Sequence, residues 1–346
     1  MERNQHPVIH KLELMKKSTP LMRYDGKEDF AAWQTRARAK LSELLGMDKF
    51  VRCEEKFLLE HTKETDEYTE YRFSIQSEEG YFFPAILRLP KGVKAKRNED
   101  GKLPLMICLQ GHSTGMHISL GIMKYERDSK SLSGGDRHFV VRAVEEGYAA
   151  LAIEQRSCGE CGSRPEDGIP DCEFSSMIAI MNGRTAIGER VWDIERAIDT
   201  VLSHFDVVDP ERIYCMGSSG GGTATYYAAA MDERIKCAMP SCSVCSWAES
   251  ITALLHCLCN YIPHVAEYFD MGDIGGLIAP RGLVVVNGAE DDIFRKKGVD
   301  ESFDIIRSLY AAAGVEERCA HVEGPGGHRF YADLSWPQFE KIAERK

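Results

Sequence analysis

Ser219 stands at the centre of Gly217-Ser218-Ser219-Gly220-Gly221, a G-x-S-x-G run of the kind that forms a nucleophile elbow. The stretch before it, Glu211-Arg212-Ile213-Tyr214-Cys215-Met216, reads as a short buried strand. The stretch after it, Thr223-Ala224-Thr225-Tyr226-Tyr227-Ala228-Ala229-Ala230-Met231, reads as a helix. A turn tight enough to join the two holds the serine in a strained conformation. Side chains two residues either side would collide, hence glycine at both places. The hydroxyl then stands at a helix N-terminus, where free N–H groups and the helix dipole favour developing negative charge. Of the two adjacent serines, only Ser219 has glycine two residues before and two after; Ser218 is its neighbour, not its substitute. Because Gly/Ser-rich turns are common, the pattern gains meaning only if the chain also supplies a base, an acid and an oxyanion site.

A serine hydroxyl needs a base, usually histidine, held by a carboxylate. After a strand–turn–helix serine the partners follow in the order Asp or Glu, then His. His256, His264, His321 and His328 follow Ser219. His328 lies in Gly324-Pro325-Gly326-Gly327-His328-Arg329-Phe330, directly after a short strand from Cys319 to Val322, and is the expected base. His321 falls inside that strand and reads as structural; His256 and His264 fall in an inserted region, which leaves contact with a substrate open to them. The strand Leu283 to Asn287 runs into Gly288-Ala289-Glu290-Asp291-Asp292. A surface acidic turn explains two of these three acids, and the G-x-x-D spacing selects Asp291, with Asp292 the runner-up. The oxyanion site calls for two backbone donors. The expected pair is the Gly220 N–H and the His112 N–H, the latter from Gln110-Gly111-His112-Ser113-Thr114-Gly115.

The elements that must position these groups alternate in type. Leu105 to Leu109, Tyr148 to Ile153, Ile213 to Met216 and Leu283 to Val286 are short apolar runs of parallel-strand character. Between them, Arg137 to Glu146 reads as a helix stopped at Gly147. Ile187, Val191, Ile194, Ile198 and Leu202 mark a second helix, and Phe303, Ile306, Leu309 and Ala313 a third, ending at Gly314. The alternation predicts an α/β protein with a mostly parallel central sheet and helices on both faces. Tyr71 to Ile75 and Tyr81 to Leu89, around Glu79-Gly80, predict an antiparallel lead-in hairpin. Residues 1–65 are expected to form a helical N-terminal extension and residues 66–346 one catalytic domain. In the extension, Phe30, Trp33, Ala37, Leu41, Leu44 and Leu45 form a stripe that stops at Gly46, as in an arm packed on the core. Insertions at about 157–185 and 241–278 each follow a strand C-terminus, where ligands bind in open α/β sheets, and read as walls of the site or a lid over it.

Composition narrows the classes. With 43 basic and 54 acidic residues the chain carries a formal charge of −11, which argues against nucleic acid or an anionic membrane as partner. Met1-Glu2-Arg3-Asn4-Gln5-His6-Pro7 lacks the apolar run of a signal peptide, and no apolar stretch approaches the ~18 residues of a membrane span. A cytoplasmic protein is expected. Cys158-x-x-Cys161 with Cys172, and Cys242-x-x-Cys245 with Cys257-x-Cys259, admit a zinc reading. The pairs lack the regular spacing of metal knuckles, and Cys108, Cys215, Cys237 and Cys319 fall on predicted strands, where cysteine acts as a small hydrophobe. Buried thiols, no metal and no organic cofactor are therefore expected. The N-terminal arm leaves a homo-oligomer open.

In order and context, the serine elbow, the acid after the next-to-last strand and Gly327-His328 resemble the α/β-hydrolase superfamily, from roughly Tyr68 to the C-terminus. More narrowly, the chain resembles the dienelactone-hydrolase and acetyl-xylan-esterase-like branch. Leu109-Gln110-Gly111-His112, Glu154-Gln155-Arg156-Ser157-Cys158-Gly159-Glu160 and Leu277-Ile278-Ala279-Pro280-Arg281, with the Trp33 to Gly46 helix, carry that likeness. The resemblance implies hydrolysis of a small-molecule or carbohydrate ester through an acyl-enzyme, with Gln110, Glu154, Arg156 and His264 as candidate substrate-lining residues. Gln110 stands where many relatives have histidine, and dienelactone hydrolases proper use cysteine as nucleophile. Serine here points to a short-chain carboxylesterase or carbohydrate deacetylase. The alternatives are a serine peptidase of the same fold and a non-catalytic scaffold.

Overall fold

Among the described residues of the computed structural model, 6–166 and 170–345, nine strands form one sheet. Residues 1–5, where the signal-peptide reading began, and 167–169 of the first insertion lie outside that description. In chain order the strands are β1 (Phe57–Glu64), β2 (Tyr68–Glu78), β3 (Tyr81–Pro90), β4 (Leu103–Leu109), β5 (Ala149–Ile153), β6 (Val208–Ser218), β7 (Ile235–Ser241), β8 (Gly282–Gly288) and β9 (Cys319–Gly324). Across the sheet they run β1-β2-β3-β5-β4-β6-β7-β8-β9. The pairings from β1 to β5 are antiparallel; those from β5 through β4 to β9 are parallel.

The helices are α1 (Pro7–Lys17), α2 (Phe30–Leu45), α3 (Asp128–Leu132), α4 (Phe139–Glu145), α5 (Cys172–Met181), α6 (Ala186–His204), α7 (Gly220–Met231), α8 (Val265–Tyr268), α9 (Met271–Gly275), α10 (Lys296–Ala312) and α11 (Ala332–Ala343). Along β4, Leu103, Leu105, Ile107 and Leu109 face one core, while Met106 and Cys108 face the other. This two-sided burial is why parallel strands read as unbroken apolar runs. The first core is roofed by α2, α6, α7, α9 and α10, the second by α4 and α11.

Helix α2 begins where the Asp29 side chain accepts the Ala32 N–H and ends at Gly46, whose φ of +74° makes the left-handed stop. Its Trp33, Ala37, Leu41 and Leu45 are buried, and Trp33 Nε1 donates to the Met22 carbonyl at 2.7 Å. Gln34 and Arg38 donate to carbonyls of Gly276, Ala279, Ala230 and Leu277. The helix is thus a packed arm of the main body.

The expectation that residues 1–65 are helical fails at its end, because Phe57–Glu64 is the edge strand β1, paired antiparallel with β2. Only Phe57 in it is partly buried, so no alternation of apolar and polar residues marks it. A boundary at residue 65 would cut the β1–β2 ribbon. Of the insertions, 157–185 contributes α5 and 241–278 contributes α8 and α9. No described helix is long and apolar enough to cross a membrane.

Candidate active site

Ser219 sits between the end of β6 and the start of α7 with φ +55° and ψ −124°. A non-glycine residue there stores on the order of 1–3 kcal/mol of strain, which its surroundings must hold. Its N–H donates to the Ser241 carbonyl and its own carbonyl accepts the Thr223 N–H, each at 2.8 Å. A Cβ on Gly217 would lie 2.5 Å from the Gly221 carbonyl oxygen, and one on Gly221 would lie 2.2 Å from the Leu109 carbonyl oxygen. The glycines therefore let β6, α7 and the end of β4 converge.

Asp291 follows β8 and is buried; Asp292 beside it is exposed. Asp291 Oδ1 accepts the N–H groups of Ile293 and Phe294 at 2.9 and 3.0 Å, and Oδ2 lies 2.9 Å from His328 Nδ1. Burial pushes this carboxyl up, but the His328 hydrogen bond and charge, with the two N–H donors, outweigh it and hold it below the ordinary carboxylate value. The loop bearing His328 wraps around Tyr331, whose hydroxyl donates to the Gly327 carbonyl at 2.8 Å and accepts the Gly326 N–H at 3.1 Å. The Phe294 ring stacks on the His328 imidazole, with centroids 5.9 Å apart. His256 meets the Phe294 ring edge-on, whereas His321 is tied to Asn287 within the sheet.

Ser219 and His328 line a common cavity of about 70 Å³ with Gln110, His112, Ser113 and Arg137. Gly111 brings the loop after β4 against the elbow, since a Cβ there would come within 3.0 Å of Ser219 Cβ. The N–H groups of His112 and Gly220 have no partner among the described residues.

Of the four candidate lining residues only Gln110 reaches this cavity, and its amide already donates to Ser119 Oγ and the Arg137 carbonyl, both at 2.8 Å. Glu154 is buried behind the loop. Its Oε1 accepts the Met116 N–H at 2.9 Å and its Oε2 the Glu160 N–H at 3.3 Å. Arg156 is engaged by Asp193 and Glu78, each at 2.8 Å, with its guanidinium over the Tyr81 ring. His264 is exposed in a left-handed conformation and faces Glu267 at 2.8 Å. None of these three lines the Ser219 cavity, and each finds its partners elsewhere.

One residue and one grouping go beyond what the sequence assigned. Arg137, at the lip of α4, places a cation in the cavity wall, and no carboxylate pairs with it among the described residues. His112, Cys172, Cys257 and Cys259 also converge, with one ligand-capable atom from each lying within 4.8 Å of the others. Cys172, Cys257 and Cys259 belong to the cysteine groups that admitted a zinc reading; the pairs 158/161 and 242/245 of those groups are not part of this set, and His112 joins it.

Comparison with known proteins bears on the fold. The model of the prolyl oligopeptidase family (Peptidase_S9) matches residues 182–267, from the approach to α6 through the elbow into the second insertion. "Putative hydrolase YtaP" of Bacillus subtilis (strain 168) is 28% identical over 244 residues, covering 68% of this chain and 76% of that protein. A putative acetyl xylan esterase from Bacteroides fragilis NCTC 9343 superposes with a TM-score of 0.76 at 16% identity, over 97% of this chain and 84% of its own. A glucuronoyl esterase from Solibacter usitatus gives 0.69 at 18% identity, over 94% and 97%. An acetyl xylan esterase from Paenibacillus sp. R4 gives 0.59 at 19% identity, over 95% and 98%. Joined to the sheet order and the strained serine between β6 and α7, these likenesses make the chain an α/β-hydrolase in fold.

Proposed function

We propose that the protein is a serine carboxylic-ester hydrolase acting on short acyl groups, with a carbohydrate ester as the favoured substrate class. The observation that carries this reading is Ser219, strained at the elbow and opening into the cavity shared with His328, itself joined to Asp291. In this reading His328 takes the Ser219 proton as Oγ attacks the ester carbonyl, and Asp291 holds the imidazolium that forms. The tetrahedral oxyanion is received by the N–H groups of Gly220 and His112. His328 then protonates the departing alcohol, and a water activated by the same ring releases the acid. The small, polar cavity suits an acetyl-sized group, and Arg137 offers charge to an oxygen-rich or anionic alcohol portion. The solved structures with esterase names support the carbohydrate direction. All twelve cysteines are unpaired, in keeping with a reducing cytoplasm.

The test is an ester panel with purified protein, comparing p-nitrophenyl acetate with longer acyl chains and with acetylated xylo-oligosaccharides. Acetate should be preferred, Ser219→Ala should lose turnover by several orders of magnitude while staying folded, and a fluorophosphonate should label Ser219. Turnover surviving in Ser219→Ala would overturn the reading; an unlabelled serine would leave a scaffold. The family-model match favours one second reading, a peptidase of the same fold. Faster cleavage of peptide nitroanilides than of acetyl esters would replace the first reading by that one.

A further inference from the structure

We propose that His112, Cys172, Cys257 and Cys259 form a tetrahedral site for a zinc-class divalent cation, clipping the loop after β4 to both insertions. With metal–sulfur bonds of about 2.3 Å and metal–nitrogen bonds of about 2.0 Å, tetrahedral ligand atoms stand roughly 3.5–3.8 Å apart. The four atoms here lie within 4.8 Å of one another, and His112 Nε2 and Cys259 Sγ, in hydrogen-bond contact at 2.9 Å, would move slightly apart to admit the ion. Three thiols and an imidazole are a soft donor set that selects zinc over magnesium or calcium.

A second observation is independent of that spacing. Arg190 on α6 is 4% exposed, yet no carboxylate pairs with it among the described residues. Its guanidinium instead points at sulfur, Nη2 3.4 Å from Cys172 Sγ and Nη1 3.8 Å from Cys259 Sγ. A guanidinium is always charged, and a buried charge needs a counter-charge. Thiolates supply it. Three thiolates and a neutral imidazole around a dication leave one net negative charge, which Arg190 matches. Without the dication, three anionic sulfurs would share one small space against a single cation.

The placement defines the role. The Cε1–Nδ1 edge of His112 packs over Gly220, while Nε2 faces the sulfurs. The ring therefore stands between the cation and the elbow, so the metal positions the His112 backbone without entering the reaction. Cys172 comes from the first insertion, Cys257 and Cys259 from the second, and His112 from between β4 and β5. One ion would close three distant segments that the sheet alone does not join.

The full chain, prepared in reducing buffer without chelator, should carry one zinc per molecule by elemental analysis. Replacement by cobalt should give the strong red-region absorption of a tetrahedral site and a thiolate-to-cobalt band in the near ultraviolet. Cys172→Ser and the more accessible Cys257→Ser should lose stoichiometric metal, whereas Cys319→Ser, outside the cluster, should retain it. Metal-free wild-type protein after zinc and cobalt loading would overturn the site. So would full retention in Cys257→Ser, or a Cys172 disulfide to Cys257 or Cys259 in the non-reduced mass spectrum. Because the readout is metal content and not turnover, failure of the esterase reading would leave this test standing.

Discussion

Asp291 is gripped by backbone on one oxygen and by His328 on the other. Oδ1 accepts the N–H groups of Ile293 and Phe294, leaving Oδ2 facing His328 Nδ1 at 2.9 Å. In Asp291→Asn the two N–H donors keep the amide oxygen, so the NH2 group must face the imidazole. The ring is then forced to carry its proton on Nε2, the atom that would have to accept one from Ser219. Ester turnover should fall on the order of 10⁴-fold with little change in KM, as expected when a base is locked in the wrong tautomer. Asp292→Asn, at an exposed neighbour, should stay within about three-fold of wild type. Steady-state kinetics of the two variants checks this, and the reverse ranking would move the acid to Asp292.

The elbow makes a prediction about stability. A methyl on Gly221 would strike the carbonyl oxygens of Leu109 and Gln110 at 2.2 and 2.5 Å, both backbone atoms at the end of a central strand. Neither can rotate away, so Gly221→Ala should cost roughly 3 kcal/mol or more. Gly80→Ala is the control, since its left-handed turn has nothing within 4 Å of a new methyl; its cost should be near 1 kcal/mol, from backbone strain alone. Urea midpoints of both variants decide the point, and equal losses would mean that crowding is not what keeps glycine at 221.

Which parts of this arrangement could be read from sequence follows from where the free energy lies. Strands β4, β6 and β8 were legible because both faces are buried and demand apolar residues, and α2, α6 and α10 because one face is. Strand β1 was not, since an exposed edge strand is held by main-chain bonds to β2 that impose no pattern. Ser219, Asp291 and His328 stood out because each follows a strand in a fixed order with glycine nearby. The partners of Glu154 and Arg156 were not legible because a buried charge is satisfied by distant groups, the Met116 and Glu160 N–H groups or the Asp193 and Glu78 carboxylates, that nothing local announces. The sulfur cluster was only partly legible for a related reason: its cysteines stood in two separate groups of the zinc reading, share no knuckle spacing, and nothing local announces His112 as their neighbour.

Arg156 separates a structural from a substrate-facing role. Its guanidinium joins Asp193 on α6 to Glu78 on β2, and all three side chains are largely buried. In Arg156→Met the buried Asp193 loses its ion partner, while Glu78 keeps Arg184 at 2.6 Å, so the loss should be about 3 kcal/mol. KM for acetyl esters should be unchanged at temperatures where the variant is folded, since the side chain is absent from the Ser219 cavity. Thermal unfolding paired with a KM measurement tests this. A raised KM with unaltered stability would return Arg156 to the substrate wall.

Glu154 gives the protein a pH-dependent stability whose sign can be worked out. Burial pushes its carboxyl from 4.5 up to about 8, against the pull of the Glu160 and Met116 N–H groups. Between those values the folded protein keeps a proton that the unfolded chain has released, so stability falls as pH rises through that window and levels off above it. The side-chain amide of a Glu154→Gln variant holds no titrating proton in either state and would lack this slope. The variant should nevertheless be less stable near pH 5. An amide has one acceptor oxygen, and its NH2 would face one of the two N–H groups that Oε1 and Oε2 now accept. Close by, a Cβ on Gly159 would sit 2.2 Å from Oε2, which leaves the misfit no room to relax. The gap in melting temperature between wild type and variant should therefore be widest near pH 5 and narrow steadily toward pH 8. Scanning calorimetry at matched ionic strength measures it directly; parallel curves would mean that Glu154 is ionised in the folded protein throughout.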